Sequence, residues 1–145
     1  MATFSASDKV YDGDNTVTTS SSISGYVGSE TISHSLTATF DNKNVGSSKA
    51  VTINSVSLAD GTNGGLAANY SLSTGQTTTA NITPKILTAT ASASNKVYDG
   101  TTTATTTLTF SGFIGSETLG QTVGSAFDNK NVGSSKAVTV NSVSL

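Results

Sequence analysis

Asp8, Asp12, Asp14 and Asp41 carry the hard carboxylate oxygens that a calcium ion selects, and the first three crowd into one short stretch. Their spacing does not complete a D-x-D-x-D-G loop. Later in the chain the corresponding residues read Asn95, Asp99, Thr101 and Asp128. Asp12, Asp41, Asp99 and Asp128 therefore stay as weak calcium candidates, because aspartate next to glycine or asparagine is also ordinary turn material. No other metal or cofactor is expected.

The remaining chemistry is thinner. Cysteine is absent, so no disulfide forms and no thiolate can attack or bind zinc. His34 is the single histidine, and its later counterpart is Gln121. Without a nucleophile and carboxylate held in both places it cannot form a hydrolytic triad, and it reads as a polar side chain on a sheet. Lys9, Lys43 and Lys49 recur as Lys96, Lys130 and Lys136, with Asn42, Asn44, Asn54 and Glu30 also recurring. A buried lysine amine could condense with an asparagine amide if its pKa were depressed beside a protonated acid. At strand ends and in loops a lysine instead keeps its charge in water and packs its stem. The run "TTTATTTLT" at 101–109 resembles a hydroxyl ladder, but "DNTVTTSSS" stands at its counterpart, so threonine acts there as a strand former. No catalytic residue is assigned, and an enzyme is not expected.

What must position these residues is a repeat. "FDNKNVGSSKAVT" stands at 40–52 and again, unchanged, at 127–139. At the same offset residues 4–58 align with 91–145 without a gap, and about 35 of the 55 aligned positions are identical. The expected division is 1–86 and 87–145, the second copy lacking a counterpart of 59–87. Within a copy, Ile32, His34, Leu36, Ala38 and Phe40 share one parity, which is a strand signal. Val51 and Ile53 fall on the other parity from Val56 and Leu58, so a bulge or bend is expected at Asn54-Ser55 and again at Asn141-Ser142. Further strands are expected at 4–10, 17–23, 70–73 and 78–82. "YDG" and "DNKNVGSS" supply the turns, and "ADGTNGGLAANY" has room for one short helical turn. The fold class is all-β: tandem small β-sandwich-like modules, Ig-like or β-grasp-related, with the second copy truncated.

Composition removes several functions. Charged residues make up 11% of the chain and the net charge is −2, so there is no basic footprint for nucleic acid. No apolar run is long enough for a membrane helix, and membrane insertion is not expected. The opening "MATFSASDKVYDG" lacks the regions of a signal peptide and reads as the start of an excised piece. Serine and threonine form roughly a third of the residues, which suits strands with a solvated face.

The motifs "KVYDG" at 9–13 and 96–100, "FDNKNVGSSKAVT", "AANYSL" at 67–72 and "ANITPK" at 80–85 together resemble the YDG repeat of large bacterial surface adhesins and filamentous-haemagglutinin-like exoproteins. The signature positions are Lys9, Tyr11, Asp12, Gly13, Phe40, Asn44, Gly46 and Tyr70, then Lys96, Tyr98, Asp99, Gly100, Phe127, Asn131 and Gly133. The resemblance implies a secreted or cell-surface, non-catalytic stalk module whose partners are neighbouring repeats. Tyr11, Tyr98 and Tyr70 are expected to anchor the core. The alternative is a carbohydrate- or mucin-binding module using loops 25–31 and 59–70, with Tyr26 and Phe113 against a host glycan. An incomplete second copy also raises a homodimer formed by strand swapping or edge pairing.

Overall fold

The computed structural model describes residues 1–145, and they form two compact units, Met1–Lys85 and Ile86–Leu145. Unit 1 contains β1 (Ala2–Ala6), β2 (Lys9–Val10), β3 (Thr19–Ile23), β4 (Ile32–Phe40), β5 (Gly46–Asp60) and β6 (Thr77–Thr83). A single 3-10 turn, Ala67–Asn69, falls in the glycine-rich stretch. Unit 2 contains β7 (Thr88–Ala93), β8 (Thr106–Ser111), β9 (Thr122–Phe127) and β10 (Val138–Ser144). The chain is all-β.

In unit 1, β1 and β3 form an antiparallel pair, and β2-β6-β5-β4 form a four-stranded sheet. Phe40, Val51, Ala80 and Ile82 make the buried cluster, and Ala6, Tyr11, Val17 and Ala38 pack onto it. The alternation along β4 is the cause: Ile32 and Phe40 are buried while Ser33, Ser35 and Thr37 face water. On β5 the pairing steps from Thr37↔Ser55 to Ala38↔Ile53, so Asn54 is the bulged residue. The bulge absorbs the parity change and keeps Val51, Ile53, Val56 and Leu58 on the inward side. Unit 2 repeats the step, with Asn141 skipped between Val140 and Ser142.

Two expected strands differ. Residues 70–73 are not a strand, because the chain leaves the 3-10 turn extended but without a paired edge. Residues 4–10 split into β1 and β2, because Asp8 turns aside to bind Asn81 and the chain passes from one sheet to the other.

Unit 2 follows the same local path at every corner. The bridge Thr16↔Thr39 recurs as Thr103↔Ala126. Gly13 (φ 89°) and Gly100 (φ 79°) both take the left-handed backbone that the third residue of YDG must supply, and Ser48 and Ser135 are left-handed at 49° and 51°. No strand among residues 86–145 takes the place of β6. The strands of unit 2 pair only as β7-β8 and β9-β10.

Candidate functional site

The signature residues converge on two lysine-centred knots, each present in both units. In the first, Lys9 projects from β2 and its Nζ lies 2.7 Å from Asp12 Oδ1 and 2.7 Å from Asp14 Oδ1. It also donates to the Asp14 carbonyl at 3.0 Å and lies 6.0 Å from the centre of the Phe40 ring. Asp14 accepts further bonds from the Thr16 amide and hydroxyl at 2.8 and 2.6 Å. In unit 2, Lys96 reaches Asp99 at 2.8 Å and stands 5.7 Å from the Phe127 ring. Thr101 replaces Asp14 there and accepts from Lys96 through its carbonyl and its hydroxyl, each at 3.0 Å.

The second knot closes the β4–β5 hairpin. Lys49 Nζ lies 2.7 Å from Asp41 Oδ1 and donates to Asn42 Oδ1 at 2.9 Å. The same Asn42 oxygen accepts the Asn44 amide at 2.9 Å, an Asx turn written into the loop. Lys136, Asp128, Asn129 and Asn131 reproduce this arrangement. The lysine stem passes directly over Gly46, where an added Cβ would sit 3.2 Å from it, and over Gly133 in the same manner. Lysine, asparagine and glycine in "DNKNVGSSK" are thus parts of one turn.

These contacts fix the electrostatics. Hydrogen bonds from Lys9 and from Thr16 hold Asp14 down to about 2, and those from Lys96 and Thr101 hold Asp99 down to about 2. The lysine hydrogen bond is also what lowers Asp12, Asp41 and Asp128. Burial of the Lys9 stem works against its charge, but the bonds to Asp12 and Asp14 outweigh it and the pKa rises. A charged amine beside charged carboxylates is the opposite of what amide condensation needs. Lys49 meets the carbonyl oxygen of Asn42, and Glu30 is engaged elsewhere, by Tyr70. At all four weak calcium candidates a lysine ammonium lies against the carboxylate.

The loops of the alternative reading do meet. Tyr70 donates to Glu30 Oε2 at 2.5 Å and accepts the Val27 amide at 3.1 Å. Its ring stands edge-on to Tyr26, 5.9 Å between centres. The bond to Glu30 is what chiefly raises the Tyr70 pKa. Thr31 and Thr62 exchange hydrogen bonds, and Asn63 donates to the Ser29 carbonyl, which ties the two loops together. A hollow of about 130 Å³ opens beside Tyr26, Ile32, Leu58 and Tyr70. Phe113 keeps the place of Tyr26 at the repeat offset. His34 bonds Ser21 Oγ at 2.7 Å across the two sheets, and Gln121 does the same work by donating to the Leu108 carbonyl at 2.7 Å.

Tyr11 packs on the core as expected, but Tyr98 is 57% exposed, because no strand among residues 86–145 lies beside it as β6 lies beside Tyr11. Sequence reasoning also overlooked a clamp in unit 1. Asp8 accepts the Asn81 amide at 2.7 Å and its side-chain nitrogen at 2.9 Å, while Asn81 Oδ1 accepts the Ser48 amide at 2.8 Å. The sequence offers Asp8 as a cation ligand, whereas the structure gives it to β6, and its replacement by Asn95 in the second copy is the one sequence signal of that role.

Comparison with protein families matches the YDG domain to residues 1–80 and again to residues 83–145. Comparison with curated proteins and with solved structures returned no match.

Proposed function

The chain belongs to the YDG domain family, and from that premise we propose that it is a non-catalytic extender, a stalk segment of a secreted or surface-exposed bacterial adhesin. One observation carries the reading. In unit 1 the second strand, β2, and the last, β6, lie side by side and parallel, with Lys9 opposite Ile82 and Val10 opposite Thr83. The Tyr11 amide donates to the Thr83 carbonyl at 2.8 Å, and Asp8 grips Asn81. Tension on a tandem array pulls the N-terminal segment backward and the C-terminal segment forward. Parallel neighbours then slide against each other, so their hydrogen bonds are loaded together instead of opening one at a time.

That geometry suits a spacer that must keep its length under pull. Neighbouring repeats are its partners in this reading. Single-molecule stretching tests it: unit 1 should yield in one event that releases roughly 280 Å of chain, the extended reach of its 85 residues. Asp8→Ala, which removes both bonds to Asn81, should lower the rupture force. Gradual lengthening at low force, unchanged by D8A, would count against the extender.

The tied loops 25–31 and 59–70 favour a second reading, adhesion to a host glycan through Tyr26. The hollow there is smaller than pockets that enclose small ligands, which places this reading second. Binding of the isolated chain on a glycan array, lost in Tyr26→Ala, would promote it.

A further inference from the structure

An asparagine or aspartate followed by glycine is open to attack by its own main chain, because glycine has no side chain to shield the next amide nitrogen. The chain has four such bonds: Asp12-Gly13, Asp60-Gly61, Asn63-Gly64 and Asp99-Gly100. Their surroundings differ.

Three are guarded. An aspartate must take up a proton before its carboxyl group can lose water, and at Asp12 and Asp99 a lysine ammonium at 2.7 and 2.8 Å opposes that proton. The same oxygens are turned past the glycine onto the amide two residues on, 3.2 Å from the Asp14 nitrogen and 2.9 Å from the Thr101 nitrogen. Asp60 accepts the Ala67 amide at 2.8 Å, and the Gly61 amide that would attack it donates instead to the Gly65 carbonyl at 3.0 Å.

Asn63-Gly64 has neither guard. The Asn63 side chain is an uncharged amide, so no protonation step stands in the way. Asn63 is exposed, and with Gly64 it takes positive φ, 56° and 88°, at the tip of a turn closed by the Gly65 amide on the Thr62 carbonyl at 3.1 Å. The Gly64 amide donates to no acceptor, and nothing lies within 4 Å of where a Cβ would stand. The side chain makes one bond, from Nδ2 to the Ser29 carbonyl at 2.9 Å, and that bond ties loop 59–70 to loop 25–31.

We propose that Asn63-Gly64 is the chain's site of spontaneous deamidation, a one-way modification that loosens the tie between loops 25–31 and 59–70. The Gly64 nitrogen gives its proton to hydroxide and bonds to Asn63 Cγ. The Cγ–Nδ2 bond breaks, and the nitrogen takes a proton from water and leaves as ammonia. Water then opens the cyclic imide at either carbonyl, leaving aspartate or isoaspartate at position 63. Water is the only co-reactant. Both products lack the N–H donor and set a carboxylate against the Ser29 carbonyl oxygen. Isoaspartate also adds a methylene to the main chain inside the turn that Thr62 and Gly65 close. The inference stands apart from the extender and glycan readings, since it concerns the reactivity of one bond.

The test warms the whole chain for weeks, folded and in urea, at neutral pH and one pH unit above it. Isoaspartate is then mapped at the four bonds by electron-transfer mass spectrometry of peptides. In the folded chain it should accumulate at position 63, roughly tenfold faster at the higher pH, because the attacking nitrogen must be deprotonated. At 12, 60 and 99 the folded chain should stay at least about tenfold below the urea sample, a suppression larger than that at 63. Asn63→Asp, which carries one product from the start, should speed amide exchange at Thr31 and Gly65 several-fold and leave Val51 unchanged. A folded chain without isoaspartate at 63, equal suppression at all four bonds, or loop exchange unmoved by Asn63→Asp each overturns the proposal.

Discussion

At the scale of single residues, the knots explain why a short polar motif is worth keeping whole. In the first knot the aspartates are held charged by a lysine, Lys9 or Lys96, that also lies against an aromatic ring, so turn and core are fastened by one side chain. Asp14 and Asp99 sit at about 2, below the ordinary 3.8. Their stabilising effect is therefore complete above about pH 4 and is lost as the pH falls toward 2. Acid titration followed by circular dichroism should show loosening across that window, and Asp99→Asn should reduce the part that belongs to unit 2, leaving the share of Asp128. Tyr70 works in the other direction: its raised pKa means its contribution is complete below pH 10 and fades as the pH climbs through the folded value. Phe40 and Phe127 supply a second comparison. Phe40→Ala should cost about 3–5 kcal/mol, the price of an emptied aromatic site, and Phe127→Ala distinctly less, because its ring is already partly wet. Thermal melts of the two variants decide this.

At the scale of elements, the long strands were legible because they alternate. The alternation bounds Ile32 to Phe40 to the residue, and the parity break at Asn54 marks the bulge. Deleting Asn54 removes the extra residue and turns one pair, Val51 with Ile53 or Val56 with Leu58, outward. The expected loss is about 3 kcal/mol or more, the worth of two unburied aliphatic side chains, measurable by urea unfolding. The glycine-rich stretch was harder. Its shape depends on a close approach to Thr31, whose carbonyl oxygen would lie 1.9 Å from a Cβ at Gly65. No local pattern in "ADGTNGGLAANY" names that neighbour. Gly65→Ala should destabilise unit 1 by at least about 1–3 kcal/mol and leave unit 2 unaffected, since the loop has no counterpart there. The Asp8–Asn81 clamp was hidden for the same reason: its halves are far apart in sequence, and only their spatial register pairs them.

At the scale of the whole molecule, one repeated sequence stands in two different surroundings. Unit 1 has its sixth strand and a closed cluster around Phe40; unit 2 has the same corners, knots and bulge without that strand. The period of the repeat was plain from the sequence, but the consequence of a missing strand was not, because burial is a property of what covers a residue. The segments 46–52 and 133–139 both read GSSKAVT, so their amides share the same intrinsic exchange chemistry and differ only in what they are bonded to. Hydrogen exchange of the intact chain, resolved residue by residue by NMR, therefore compares the two units directly. The account predicts strong protection at Lys49 and Val51, on the side of β5 that faces β6, and fast exchange at their counterparts Lys136 and Val138, whereas Thr52 and Thr139, which pair with β4 and β9, serve as internal references. Equal protection of Lys49 with Lys136 and of Val51 with Val138 would contradict it.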